Sequence, residues 1–530
     1  MTHPKFTRAL TLFFSFALLF VVATPAPTQQ PATKNITILY SNDFHAAVEP
    51  MTATWLVDQP KIGGVRDFAA WIDVFRTRNP ATFLFDSGDL FTGQAISFLS
   101  RGQALIDIWK AVGFDAVCLG NHEFDYGLEG ASNYIKGEPF PVLSANLFYK
   151  KDGAPFAKPY AILEKSGVRV AVIGIFGVDA ASATTLATWD ALEVRDPVPI
   201  LSELVPQLRK QADIIVVLSH AGETGPMQSD AEAHPEVQRK FDADIAIVEA
   251  VPGIDVYVGG HAHRGIEIPW VSPKTGGIIV QTYGRGTTLG VLQLAFDAQQ
   301  HRIVSHSGSL VRVMNGVFPV PQNVDTVAKN WEAKADREGK EIVGHAPEQL
   351  VRNYNGESAL GDLVADAMLW RTGTTMAFEN AGGIRGDLQA GPVTRYDAIS
   401  VVPFMNTNVT MQLSGKDIRA ALEQSLTLKV GALQIAGLVV AYDPSAPEYH
   451  RVLSVEVVSG AKKEPLDDNR LYPIVASSFI AGGGDHYDAF LRGKNVHDTG
   501  ELLCDVLTAY ARHAHTLARP AGPRQIPKLQ

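Results

Sequence analysis

The sequence predicts a layered α/β protein in two parts joined by a helical connector. Through the first half of the chain, short apolar runs alternate with stretches of helical periodicity, the pattern of helices packed on sheets. Five of those runs end in residues suited to metal coordination. Near Val320 the composition turns Pro-interrupted and then charged, after which a second α/β pattern begins.

The chain opens with Lys5 and Arg8, an apolar run from Leu10 to Ala23 and the polar exit "TPAPTQQPAT". This reads as a secretory signal peptide over residues 1–26, with Val21 and Ala23 small enough for cleavage after Ala23 and Ala26 as the other site. An uncleaved anchor is the competing reading, but the run falls short of the roughly 20 residues a span needs. No Cys near the exit offers a lipid attachment point. The expectation is a periplasmic or secreted protein with no stable membrane anchor after cleavage.

"ITILY" then reads as a strand, "GGVRDFAAWIDVFRTR" as a helix, "ATFLFDSGD" as a strand, "GQALIDIWKAV" as a helix and "DAVCLGN" as a strand. "VRVAVIGIFGV", "DIIVVLSH" and "IDVYVGGH" are further strands, with "ILSELVPQLRKQ" a helix between the first two. "GGIIVQTYG" and "GVLQLAFDA" follow with fewer helices between them, so part of this half is expected to be antiparallel. Gly63 and Gly64 read as a tight strand–helix turn, since the full phosphate-loop pattern is missing. Trp109 and Phe114 read as core.

The first domain is expected over residues 34–318, a linker and connecting helix over 319–342, and a second domain over 343–518. That domain holds a helix at "SALGDLVADAMLWRT" with Ser358 as N-cap, the Gly-rich "ENAGGIRGDL", the helix "KDIRAALEQSL" and the loop "AGGGDHYDAF". Residues 519–530 read as a disordered tail. The whole chain has 530 residues, 46% hydrophobic and 19% charged, a globular composition. Its net charge of -10 argues against binding a nucleic-acid polymer, which needs clustered Lys and Arg. Of the two cysteines, Cys118 reads as a small buried thiol and Cys504 as a helix residue.

The five strand endings carry the chemistry. They are Asp43-Phe44-His45, Gly88-Asp89, Gly120-Asn121-His122, His220 and His261-Ala262-His263. In an extended segment residues i and i+2 point the same way, so Asp43 with His45, and His261 with His263, can each aim at one point. A carboxylate such as Asp89 can bridge two cations, and Asn121 offers a neutral oxygen. Singly, each has an ordinary reading as a turn residue, a cap or a surface His. Five such endings in one half of the chain make a metal centre the better reading. Two ions about 3.5–4 Å apart would clamp an in-line displacement at phosphorus.

"DFHAAVEP", "DSGDLFTG", "GNHEFDYG", "LSHAG" and "GGHAH" resemble the motif series of calcineurin-like metallophosphoesterases. The longer pattern resembles the 5′-nucleotidase family, which includes bacterial periplasmic UDP-sugar hydrolases, and the likeness spans essentially the whole mature chain. It implies a four-layer α-β-β-α sandwich, a helical linker and a C-terminal α/β substrate-binding domain. It implies two divalent ions, of the zinc, manganese or cobalt kind. Asp43, His45, Asp89 and His263 would hold the first, and Asp89, Asn121, His220 and His261 the second. It assigns His122 and Asp125 to a catalytic dyad beside a metal-bound water or hydroxide. Asn380 and Arg385 would contact the nucleotide, and Phe404 and Tyr487 would stack on its base. By the same likeness the C-terminal domain rotates against the first, with the hinge near Asn330–Lys340. Gly356 stands where many relatives carry a further Arg.

The activity implied is hydrolysis of 5′-nucleotides to nucleoside and phosphate, extending to UDP-sugars or nucleoside polyphosphates. The alternatives are a 2′,3′-cyclic-nucleotide phosphodiesterase/3′-nucleotidase, the dimanganese sulfur-oxidation hydrolase of the same superfamily, and a non-catalytic nucleotide-binding or adhesive surface protein.

Overall fold

A computed structural model of the protein describes residues 33–182, 191–222, 241–460 and 462–528. The expected signal peptide lies outside the described residues. No helix among them is long and apolar enough to cross a membrane.

The first half is built on two six-stranded sheets. One runs, in spatial order, through Arg302–Arg312, Thr288–Asp297, Thr33–Ser41, Thr82–Asp86, Ala116–Cys118 and Val142–Leu143. Its four strands from Thr33–Ser41 onward are parallel, and the other two are antiparallel additions. The second sheet runs through Trp270–Val271, Ile278–Val280, Val256–Val258, Ile214–His220, Val168–Phe176 and Tyr160–Lys165, with its four central strands parallel.

Period-two alternation explains how the sheets stack. Ile36, Ile38, Phe83 and Phe85 on the first meet Val170, Val172, Val216 and Leu218 on the second in one buried cluster. Leu39 and Leu84, pointing the other way, pack under the helices Val65–Arg78 and Gln103–Val112. Ala171, Ile173 and Ile215 pack likewise under the helices Pro197–Leu208 and Asp242–Ala250. Strands covered on both faces read as continuous apolar runs, and four α-β-β-α layers result. Each fully buried Leu, Ile, Val or Phe side chain contributes about 1.5–3 kcal/mol. Trp109, Phe114 and Cys118 all lie in this core.

The connecting helix, Gln322–Gly339, buries Val324, Ala328 and Ala335 against the first half. Arg66 fixes it there, with Nε 2.9 Å from Asp325 and Nη2 2.7 Å from Glu332.

The second half has a five-stranded sheet in the order Leu433–Ala436, Met376–Asn380, Leu471–Ser477, Thr407–Ser414, Lys494–Leu502. Helices Ala359–Thr372 and Leu503–Ala514 cover one face, and helix Gly415–Ser425 packs on the other. Ser358 caps the first of these, its hydroxyl accepting from the Gly361 N–H at 2.9 Å. A smaller sheet, Lys462–Pro465, Val452–Ser459, Leu438–Tyr442, Gln525–Pro527, completes this half.

Its last strand corrects the expectation of a disordered tail. Gln525–Pro527 pairs in parallel with Val440–Tyr442. Arg524 beside it donates to both oxygens of Asp366 (2.8 and 2.7 Å) and to the Ile435 carbonyl (2.7 Å). Pro is tolerated here because this is an edge strand.

Candidate active site

The metal-type residues gather where the carboxyl ends of the two sheets converge. Asp43, Asp89 and Asn121 follow strands of the first sheet; His220 ends a strand of the second, and His261 and His263 follow another. Asp43, His45, Asp89 and His263 form one buried group with ligand atoms within 4.8 Å of one another, and Asp89, His220 and His261 form another. Asn121 lies beside the second, its Oδ1 3.1 Å from His220 Nε2. Asp89 is common to both.

The local geometry differs from the extended one expected. Asp43, His45, Asp89, His261 and His263 all have positive φ, between 48° and 68°. The paired residues converge through left-handed turns rather than a straight strand. Such conformations cost non-glycine residues of order 1 kcal/mol or more and persist where surroundings fix them. Neighbouring glycines make room: a Cβ on Gly120 would stand 2.3 Å from Asp89 Oδ1, and one on Gly88 2.6 Å from the Gly120 nitrogen.

Hydrogen bonds behind the ligand atoms orient them. His45 Nδ1 donates to the Thr92 carbonyl (3.0 Å) and His220 Nδ1 to that of Ser87 (2.6 Å), leaving each Nε2 free to ligate. Asn42 Nδ2 donates to Asp43 Oδ2 at 2.7 Å. Glu123, to which the sequence reading gave no role, accepts backbone N–H groups from Asp89 (3.1 Å), Leu90 (2.7 Å) and Gly120 (2.6 Å), tying two ligand loops together. The signal was present in "GNHEFD", as a carboxylate with no surface pattern around it.

The donor set fits two cations. His45 Nε2 and His263 Nε2 lie 3.2 Å apart, and His263 Nε2 is 3.3 Å from Asp43 Oδ1. His220 Nε2 is 3.1 Å from Asp89 Oδ2, while His261 Nε2 is buried with no hydrogen-bond partner among the described residues. Electrostatics agree with ligand-ready protonation for several of them. Burial, then Arg385, holds the His45 pKa well below its ordinary value. Burial, then His220, draws His261 down to about 3. Burial would raise the Asp89 carboxyl, but His220 and His122 outweigh it and keep it well below the usual range.

His122 stands beside this cluster. Its Nδ1 is 2.8 Å from Asp125 Oδ2 and its Nε2 3.9 Å from Asp89 Oδ2. Burial disfavours its imidazolium, yet Asp125 and Asp89 prevail and raise its pKa. Thr92 Oγ1 also donates to Asp125.

A cleft of about 780 Å³, part of it open to solvent, runs from these residues into the second half. Asn380, Arg385, Phe404, Phe479 and Asp485 line its far end. Arg385 Nη2 reaches to 3.5 Å from His45 Nε2, and the Phe404 ring centres 5.4 Å from that of His122. Asn380 Nδ2 donates to Asp485 at 2.9 Å.

Tyr487 does not line this cleft. It is 1% exposed and packs among Phe378 and Phe490 in the core of the second half. Phe479, one turn before the Gly-rich loop, lines the cleft instead, together with Phe404 and Tyr354. Phe479 and Tyr487 come from one segment, and nothing in their local pattern says which ring faces inward. Gly356 contributes no side chain. Arg285 and Arg352 lie near Arg385, and burial, then Arg352 and Arg385, pulls the Arg285 pKa down to about 9.

A paired histidine–carboxylate cluster at the mouth of a stacked double sheet defines a metal-dependent phosphoric monoester hydrolase. Residues 36–265 match the calcineurin-like phosphoesterase family and residues 342–492 the 5′-nucleotidase C-terminal domain. The chain belongs to the 5′-nucleotidase family that combines these two domains. It is 28% identical to a 5′-nucleotidase of Bos taurus, over 95% of this chain and 91% of that protein. It is 27% identical to an apyrase of Anopheles gambiae, over 98% of this chain and 95% of that one. The crystal structure of a 5′-nucleotidase precursor from Thermus thermophilus superposes with a TM-score of 0.81 at 28% identity, covering 93% and 99% of the two chains.

Proposed function

We propose that the protein is an exported 5′-nucleotidase that releases phosphate from nucleoside monophosphates. Asp43, His45, Asp89 and His263 would hold one divalent ion, and Asp89, Asn121, His220 and His261 the other. The observation that carries the reading is the cleft joining this cluster to Arg385 and the rings of Phe404 and Phe479. When bound, the ions supply Lewis acidity toward the phosphoryl oxygens and acidify water.

The chain's own residues divide the remaining work. Arg385 offers its guanidinium to the phosphoryl group from the side facing His45, a geometry suited to oxyanions. Asp125 keeps the His122 ring oriented through Nδ1, so that Nε2 faces the cleft and can protonate the departing 5′ oxygen. Phe404 and Phe479 take the base by stacking, which tolerates any base. Asp485 and Asn380, hydrogen-bonded to each other, present polar atoms beside those rings for the ribose hydroxyls. The likeness to an apyrase extends the reading to nucleoside polyphosphates. Export rests on Lys5, Arg8 and the apolar run Leu10–Ala23.

The test is phosphate release from 5′-AMP, 3′-AMP, 2′,3′-cyclic AMP and UDP-glucose, with and without chelator. The expected result is chelator-sensitive turnover of 5′-AMP. Strong preference for 3′-AMP or the cyclic nucleotide would overturn the 5′ assignment, and no turnover with metal restored would remove the enzyme. His122→Ala should lower kcat about 10²–10⁴-fold while metal content stays at the wild-type level. An unchanged kcat would take His122 out of the reaction.

A further inference from the structure

A second cleft opens beside the first, enclosing about 560 Å³ including solvent-open space, and its lining includes His45, Gly93, Gln94, Arg285, Arg385 and Ser400. Arg385 lines both clefts, so the side cleft adjoins the metal cluster through His45 without passing the aromatic rings.

Arg285 is held there by a built turn. Its φ is 54°, between Gly284 and Gly286, both also at positive φ. Its backbone N–H donates to the Asp43 carbonyl at 2.8 Å. A Cβ on Gly284 would stand 3.0 Å from that same oxygen, and one on Gly286 2.4 Å from the Phe44 ring, so the turn tolerates little change. From it the side chain crosses to the second half, where Nη2 donates to the Arg385 carbonyl at 3.3 Å. Both arginines thus line one cleft, and among the described residues neither guanidinium lies within ion-pair distance of a carboxylate. A third, Arg352, repels both. Its carboxylate neighbour, Asp387, is 3.9 Å away. Like charges gathered in a partly buried cleft are costly unless an anion joins them.

We propose that Arg285 and Arg385 form a second phosphate site in this side cleft, which takes the phosphate released at the metal cluster. This rests on the nucleotidase reading. A nucleoside held between Phe404 and Phe479 fills the main cleft, whereas the side cleft gives the phosphate a separate route past His45. Arg385 stands at the junction and serves the phosphoryl group in both positions. Arg285 serves only the second.

Inorganic phosphate is the probe, with stoichiometry read by equilibrium dialysis on metal-loaded and on chelated full-length protein. The expected result is two phosphates per loaded chain and one per chelated chain. In Arg285→Ala and Arg285→Gln, melting as wild type, the site that survives chelation should weaken at least tenfold. Phosphate inhibition of 5′-AMP hydrolysis should weaken in parallel, with the KM for 5′-AMP changing less than threefold. One phosphate in the loaded wild type, none after chelation, or equal binding by both variants would overturn the proposal. If 5′-AMP is not hydrolysed yet the chelation-resistant phosphate depends on Arg285, the nucleotidase reading fails and the anion site stands.

Discussion

Glu379 is a carboxyl buried beneath the Gly-rich turn at residues 381–383, and among the described residues neither oxygen has a hydrogen-bond partner of good geometry, the Ser477 hydroxyl being its polar neighbour. A Cβ on Gly383 would stand 2.0 Å from its Oε1, so the turn rests directly on it. Burial raises its pKa from 4.5 to about 8. The folded state therefore binds this proton more tightly than the unfolded chain does. Its contribution to stability is fully present below about pH 4.5 and is lost as pH rises through about 8. Glu379→Gln removes the titration, so the melting temperature of the variant should gain on wild type across that window. A constant difference from acid to alkaline pH would mean Glu379 does not titrate there. Nearby, Phe479 and Tyr487 separate what a sequence can reveal from what it cannot. The loop "FIAGGGDHY" announces a ligand-facing turn, but ring direction depends on the three-residue helical turn Gly484–His486 and the left-handed Asp485 and His486 within it. Phe479→Ala should raise the KM for 5′-AMP roughly 5–150-fold, the worth of one lost stacking partner, and leave a small phosphate ester unaffected. Tyr487→Phe should leave that KM within about twofold, since its hydroxyl points to the Gly431 carbonyl, at 3.4 Å, and to Ser425, away from the cleft. The reverse ranking would restore Tyr487 as the stacking residue.

At the scale of elements, the strands and helices of the first half were legible because apolar periodicity was dense and turn residues bounded each run. Whether those strands lay in one sheet or two was not legible from periodicity, because a strand buried on both faces looks alike in either; the four-layer arrangement came from the family resemblance alone. That matters for the site, since Asp43, Asp89 and Asn121 come from one sheet and His220, His261 and His263 from the other. The final strand was also illegible. Gln525–Pro527 is only three residues long, its sequence is Pro-rich, and it is held by side chains as much as by its ladder. Arg524 is one of these, bidentate to Asp366 and bonded to the Ile435 carbonyl. Removing one partner of a largely buried ion pair costs roughly 3 kcal/mol or more. Arg524→Ala should therefore lower the melting temperature by several degrees while kcat on 5′-AMP remains at the wild-type level. A melting temperature unchanged by the substitution, or by truncation after Leu517, would make the strand an accessory.

On the scale of the whole molecule, the metal-type residues all lie between Asp43 and His263, and the residues lining the far end of the cleft lie between Tyr354 and Asp485. The site exists only where the halves meet. The connecting helix Gln322–Gly339 belongs mechanically to the first half, through Val324, Ala328 and the Arg66 ion pairs. Rotation of the second half would therefore turn about Gly339 and Lys340, at the end of that helix, rather than along it. Gly339 is also a contact point: a Cβ there would stand 2.7 Å from Tyr396 Cδ2 on the helix Arg395–Val401 of the second half. A branched side chain at Gly339 should wedge the halves apart at this point. Gly339→Val should raise the KM for 5′-AMP, because Arg385 and Phe404 withdraw from His45 and His122. Metal content by elemental analysis should stay at the wild-type level, because every residue of the two clusters able to hold a metal sits in the first half. Equal loss of metal and of substrate affinity would show instead that the second half holds the metal cluster together, and the division of labour between the halves would have to be abandoned.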